Sequence, residues 1–120
     1  MKKIALLMAV ISVFVTTNAE TNGIIKTRLV VTVLDQLGNA VSNAIVKIYL
    51  TKEDYQRKEN EVGTSQFTNH KGKATFTGLE KIPYFIHAEK GDLNNVGSGI
   101  KTDTLIEFRI NKITTMITDL

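Results

Sequence analysis

The chain has 120 residues, no cysteine and no tryptophan, with 15 Lys+Arg against 12 Asp+Glu. That length suits one domain. Without cysteine there is no disulfide, no lipid-modified cysteine and no thiol nucleophile, and the net charge of +3 overstates how basic the exported chain is expected to be.

Met1, Lys2 and Lys3 make a positive lead, and residues 4–15 are apolar apart from Ser12. Thr17-Asn18-Ala19 then puts small residues at the third and first positions before a cleavage site. This order reads as a secretory signal peptide, residues 1–19. Its apolar stretch is shorter than the about 20 residues of a spanning helix. Residues 20–120 are left as a single β-sandwich domain with no transmembrane segment. Lys2 and Lys3 leave with the signal, so the exported chain is nearly neutral, and no nucleic-acid partner is expected. The compartment is periplasmic or external.

Residues 28–34 (RLVVTVL) are rich in β-branched side chains and predict a strand. Asp35-Gln36-Leu37-Gly38 has the order of a type I turn. In residues 44–50 (AIVKIYL), Ala44, Val46, Ile48 and Leu50 alternate with Ile45, Lys47 and Tyr49, which is strand periodicity. Residues 52–61 (KEDYQRKENE) break it. Thr51 and Asp54 have capping-box spacing, and Glu53 with Arg57 and Asp54 with Lys58 stand four apart. A short exposed helix or helical turn near residues 52–59 is expected. Strands then fall at residues 62–68 and 73–77, joined as a hairpin by Asn69-His70-Lys71-Gly72, with His70 at a polar tip. In residues 84–89 (YFIHAE), Tyr84, Ile86 and Ala88 face the core and Phe85, His87 and Glu89 face out. A loop at 90–95 precedes a short strand near 96–101. Residues 105–111 (LIEFRIN) predict a strand with Ile106, Phe108 and Ile110 inward and Leu105 outward, extended by residues 113–117. The sum is an all-β, about seven-stranded antiparallel Greek-key sandwich.

Two stretches carry a family resemblance: VLDQLGNAVSNAIV at residues 33–46 and TNHKGKATF at residues 68–76, the latter followed by Leu79 and YFIHAEKG at residues 84–91. Together they resemble the carboxypeptidase regulatory-like domains, whose fold is prealbumin-like (transthyretin-like). The resemblance spans most of residues 27–117. It implies that Gly38 and Gly72 close turns and that Ala44, Val46, Ala74, Phe76 and Ile86 point inward. Asn43 and Asn69 replace the Gly and Asp common in such domains; Asn tolerates the left-handed region and bonds its own backbone, so the turns are expected to survive. Similar modules occur in exported bacterial proteins. The motifs specify a fold and no chemistry. Transthyretin-like hydrolases end in a Tyr-Arg-Gly-Ser-like motif, and this chain ends Thr118-Asp119-Leu120.

Residues patterned for chemistry are few. The segment around Ser65 keeps one glycine of a nucleophile elbow, and Ser98 has its glycines at the wrong spacing. His70, His87 and Glu89 are the strongest metal combination, yet zinc wants three or four ligands with support behind them. Asp92, Asn94 and Asn95 suggest oxygen ligands without the spaced carboxylates of a calcium loop. No catalytic residue, metal or cofactor is expected. Val30, Leu34, Ile45, Tyr49, Phe85 and Leu105 point away from the assigned core face, which suits a partner surface. The expectation is an exported, non-enzymatic module binding an unknown envelope protein, or a structural accessory. The alternative is a carbohydrate- or small-ligand-binding module. Tyr49, Tyr55, Phe85 and His87 are the candidate contact residues for either.

Overall fold

The computed structural model describes residues 26–98 and 100–119. The expected signal peptide lies outside the described residues. Seven strands and one helix follow in order: β1 (Arg28–Leu34), β2 (Ile45–Tyr49), α1 (Lys52–Arg57), β3 (Gln66–Phe67), β4 (Lys73–Thr77), β5 (Phe85–Lys90), β6 (Leu93–Asn94) and β7 (Ile110–Met116). They form two sheets, β4-β1-β7 and β3-β2-β5-β6. Six of the strands make the antiparallel pairs expected. The exception is β1 with β7, which is parallel from Arg28↔Ile110 to Leu34↔Met116. The first sheet is therefore mixed, because β1 and β7 are the two ends of the described chain and no tight turn joins them.

The core lies between the sheets. Leu29, Val31 and Val33 of β1 alternate with outward residues, as do Ala74 and Phe76 of β4. Val46 and Ile48 of β2 and Ile86 and Ala88 of β5 meet them from the other sheet, with Ala44, Tyr84, Leu105 and Ile117 closing the ends. Each fully buried Val, Ile or Leu contributes roughly 1.5–3 kcal/mol. The core holds the sandwich together without a disulfide. Leu50, expected inward, is half exposed because β2 ends at Tyr49.

Two turns share one device. Asp35 Oδ1 accepts from the backbone N–H of Leu37 and Asn39 at 2.9 Å each, and Gly38 N–H donates to Asp35 O at 3.0 Å. Asn69 Oδ1 accepts from Lys71 and Lys73, and Gly72 N–H donates to Asn69 O at 2.9 Å. Asn43 takes φ 59°, as its tolerance of the left-handed region allows. The Asn69–Gly72 turn is not a hairpin, however. β3 pairs with β2 in one sheet and β4 with β1 in the other, so the chain changes sheets there. Thr68 fixes the crossing: its hydroxyl accepts from Ala44 N–H at 2.9 Å and donates to Val41 O at 2.6 Å. Gly72 packs against β1, and a Cβ there would stand 2.8 Å from Val33 O.

The outer edge of β5 is closed by side chains as well as by backbone groups of β6, Asn95, Ile100 and Thr102. Asn95 is fully buried. Its Oδ1 accepts from Ala88 N–H at 3.0 Å, and its Nδ2 donates to Ile86 O at 2.9 Å and to Thr115 Oγ1 at 3.1 Å. Asn95 thus acts as a missing strand for β5 and ties that sheet to β7. Thr102 continues the edge, with Oγ1 accepting from Tyr84 N–H at 2.9 Å. The strand expected near residues 96–101 is replaced by a 3-10 turn at Val96–Ser98 and a single bridge, Phe85↔Lys101.

Gly72→Ala is expected to cost about 2 kcal/mol or more by chemical denaturation, since it adds a steric clash to left-handed strain of about 1–2 kcal/mol. Gly78→Ala, also at positive φ but in open space, should cost only the strain. Asn95→Ala leaves Ile86 O, Ala88 N–H and Thr115 Oγ1 without that partner, at about 1–3 kcal/mol for each group left unsatisfied. A loss of several kcal/mol in unfolding free energy is the expected outcome.

Candidate functional site

Thr51 caps α1: its hydroxyl accepts from Asp54 N–H at 3.0 Å. Lys58 ends the helix in the left-handed conformation, φ 55° and ψ 45°. That early end is why the expected Asp54–Lys58 pair does not form; neither it nor Glu53–Arg57 is among the ion pairs of the described residues. Asp54 Oδ1 instead accepts from Asn60 Nδ2 at 3.2 Å.

The helix lies over the outer face of β2 and β5 and lowers Tyr55 onto it. Tyr55 meets Tyr49 edge-on with ring centroids 6.1 Å apart, Phe85 at 6.0 Å and His87 at 6.3 Å. The four candidate contact residues therefore converge on one place. Their exposure differs from expectation. Tyr49 is 0% and His87 2% exposed, while Tyr55 and Phe85 are half-buried. Strand alternation put Tyr49 and His87 outward correctly, but α1 roofs that face. Tyr49 is therefore a covered ring, not an exposed one, and a flat sugar platform is not formed. Lys101 Nζ lies over the Phe85 ring, 5.3 Å from its centroid.

His87 Nε2 lies 2.7 Å from Glu89 Oε1. With the carboxylate as acceptor, Nε2 carries the proton and Nδ1 keeps a lone pair. Among the described residues, that Nδ1, Tyr49 Oη and Tyr55 Oη are buried and meet no hydrogen-bond partner. Burial lowers the His87 pKa from its ordinary value; the bond to Glu89 opposes this, and Lys58 and Lys47 reinforce it. Burial raises the Tyr49 pKa, helped by Glu61 and Glu89. At neutral pH the cluster holds a neutral imidazole and neutral phenols. The metal combination does not assemble: His70 is exposed on the Asn69–Gly72 turn, and no group of three or more His, Cys, Asp or Glu among the described residues could hold an ion. The suspected oxygen-ligand loop is a structural edge, since the Asn95 amide is committed to β5 and β7, and Asn94 Oδ1 accepts from Val96 N–H at 3.0 Å.

A second surface was not legible in the sequence. Leu105, expected outward, is 3% exposed and belongs to the core. Ile106, Phe108 and Ile110, expected inward, are 59%, 60% and 48% exposed. Residues 105–109 form a loop before β7, not a strand. Phe108 takes φ 59°, a conformation costly for an aromatic residue. Its N–H donates to Thr27 Oγ1 at 2.9 Å. Asn111 holds the rest: Oδ1 accepts from Ile106 N–H at 2.8 Å, and Nδ2 donates to Ile106 O at 3.0 Å and Arg28 O at 3.1 Å. The apolar tip is fixed in shape. Beside it a cleft of about 290 Å³ runs between residues 101–106 and Asn111, Lys112 and Ile113 of β7. The alternating pattern of LIEFRIN is that of a core strand; nothing local marks it as a loop.

Comparison with known proteins fits this architecture. Residues 8–113 match the family described as SMCHD1 Ig-like domain 6. The chain belongs to this Ig-like domain family. Among solved structures, a streptococcal ancillary pilin superposes with a TM-score of 0.61 at 15% identity, over 82% of this chain and 34% of that one. The major pilin subunit BcpA of Bacillus cereus gives 0.52 at 14% identity, over 80% and 31%. The pilus 2b backbone protein of group B streptococcus gives 0.52 at 14%, over 77% and 41%. The Ig-like chain thus spans about a third of the length of the pilins it resembles. At these identities the likeness is one of fold. No curated protein matches. No helix among the described residues is long and apolar enough to cross a membrane.

The His87 environment sets a pH dependence. A histidine whose pKa is lowered by folding binds fewer protons in the native state, so stability is full above the unfolded value and falls as pH drops below about 6.5. Melting temperature followed from neutral to mildly acid pH should show this fall. It should be shallower in His87→Gln, whose side chain does not titrate; an unchanged slope would assign the effect to other groups.

Proposed function

We propose that this Ig-like domain is an exported, non-enzymatic module that works by protein–protein contact, as a structural accessory of a cell-surface or envelope assembly. The observation that carries this reading is the tip of Ile106, Phe108 and Ile110. Ile106 and Phe108 stand in water on a loop fixed by Thr27 and Asn111, Ile110 is exposed beside them at the start of β7, and Phe108 is held at an unfavourable φ. Strain kept at an exposed residue is a pointer to function, and rigid exposed apolar groups are what contact surfaces use. The fold shared with pilin domains supports the reading, as do the carboxypeptidase regulatory-like turns, which we take as those of exported sandwiches. The leader-like residues 1–19 support export. Carbohydrate binding is disfavoured, because α1 covers Tyr49 and leaves Tyr55 and Phe85 half-buried.

Phe108→Asn separates function from folding. Asn accepts the left-handed conformation, so the variant should fold and be more stable by up to about 1 kcal/mol. In affinity capture from envelope extract, a partner enriched by the native chain should be lost with Phe108→Asn and kept with Tyr55→Ala. A partner lost only with Tyr55→Ala would move the contact site to the α1 face.

A further inference from the structure

The polar atoms beneath α1 are gathered in one place. Tyr49 Oη, Tyr55 Oη and His87 Nδ1 are all buried, and among the described residues none of them meets a hydrogen-bond partner. Buried polar groups are ordinarily paired, and such exceptions often mark a part of the fold with work to do. Tyr55 comes from the helix, whereas Tyr49 and His87 stand on β2 and β5, so the cluster straddles the joint between roof and sheet.

The roof is lightly held. No residue of α1 is fully buried, and Tyr55 is half-buried. The side-chain hydrogen bonds of the segment stay inside it: Thr51 accepts from Asp54 N–H, and Asp54 accepts from Asn60. Among the described residues, no side chain of α1 hydrogen-bonds to either strand, and Tyr55 meets them through ring contacts. Lys58 and Asn60, at φ 55° and 59°, turn the chain out of the helix. Both ends of the segment return to β2. Leu50 follows its last residue directly, and Val62 N–H donates to Ile48 O at 2.8 Å, with Lys47 Nζ 3.8 Å from Glu61 Oε1 beside it. Residues 50–61 thus form a flap tied down at its two ends. Segments with few buried contacts open locally at lower cost than the fold as a whole.

We propose that α1 is a hinged roof: a second proton on His87, taken up at Nδ1, opens it and uncovers the aromatic face of β2 and β5. The charged groups around the imidazole divide in two. Glu89, beside it on β5 and 2.7 Å from Nε2, and Lys47, opposite it on β2, sit on the strands and stay in place whether the roof is open or closed. Lys58 acts on His87 from the end of α1 and leaves with the roof, and Glu61 acts on Tyr49 from the tied end of the flap. The phenols of Tyr49 and Tyr55 complete the surroundings. Under a closed roof, Nδ1–H would be a buried charged donor without an acceptor, with Lys58 adding repulsion. An open roof admits water to Nδ1 and to both phenols and carries Lys58 away. The closed state therefore binds fewer protons than the open one. It is fully favoured above the value of an exposed histidine, about 6.5, and loses ground as pH falls below it.

Hydrogen exchange of the full chain at about pH 7.5 and about pH 5.5, corrected for intrinsic rates, tests this. The amides of Tyr55, Lys58 and Glu59, which donate within the flap, should lose about tenfold in protection over that step, as one proton taken up below about 6.5 requires. The window lies above the ordinary carboxylate range of about 4. Because the roof opens without the sheets, these amides should be less protected than those of β1 at both pH values. His87→Gln should abolish the pH effect. His70→Gln, which changes the other histidine, exposed on its turn, should leave it intact. Lys58→Asn keeps a residue that tolerates the left-handed conformation and removes the like charge, so the loss should begin at lower pH. Flap protection that does not change with pH, or a loss that persists in His87→Gln, would overturn the proposal. So would flap amides as protected as those of β1, since the roof would then open only with the whole fold. If His87→Gln does not fold, Lys58→Asn decides: an onset that does not move down overturns the proposal.

Discussion

The side-chain amide of Asn95 is the contact on which the closed half of this sandwich depends. A β-sheet ends in a row of backbone donors and acceptors, and buried ones must be paired. β6 is too short to pair the whole of β5. Asn95 offers an acceptor and two donors in the positions a neighbouring strand would use, and its second donor reaches Thr115 in the facing sheet. One side chain thus finishes one sheet and couples it to the other. Thr102 and Thr68 do the same at smaller scale.

The result is an asymmetric molecule. On one side the outer edge of β5 is sealed by Asn95, Ile100 and Thr102. The outer face of β2 and β5 is sealed by α1, which turns what would be an exposed aromatic surface into a small second core. The opposite arrangement holds at the edge strand β7, where the loop leading into it and its first residue together present three apolar side chains. The protein covers the rings of β2 and β5 and leaves Ile106, Phe108 and Ile110 exposed. Asn111 serves there as Asn95 does elsewhere, using one amide to hold several backbone groups.

Much of the fold was legible in sequence. β1 and β4 fall where β-branched alternation puts them, and the turns at Asp35 and Asn69 form from the side chains that suggested them. Asn43 occupies positive φ as its chemistry permits. The failures share one cause, which is that they depend on how elements pack and not on local pattern. Period two says that Tyr49 and His87 share the far face of β2 and β5, but not that a six-residue helix will cover that face. The pattern around Phe108 alternates as well as any core strand; only packing decides that Leu105 turns in. Asn95 looked like a loop ligand because polar residues in loops are usually solvated. The parallel pairing of β1 with β7 has no local signature at all.

That pairing has a mechanical meaning. β1 is entered at Arg28 and β7 is left at Met116, at opposite ends of the same two-stranded ladder. Tension applied to the two ends of the domain runs along both strands in opposite directions, so the ladder is loaded in shear. Its hydrogen bonds must stretch together; they cannot open one after another from an end. A module joined through its termini into a longer chain would resist pulling at this one pair of strands, and would give way there as a single event.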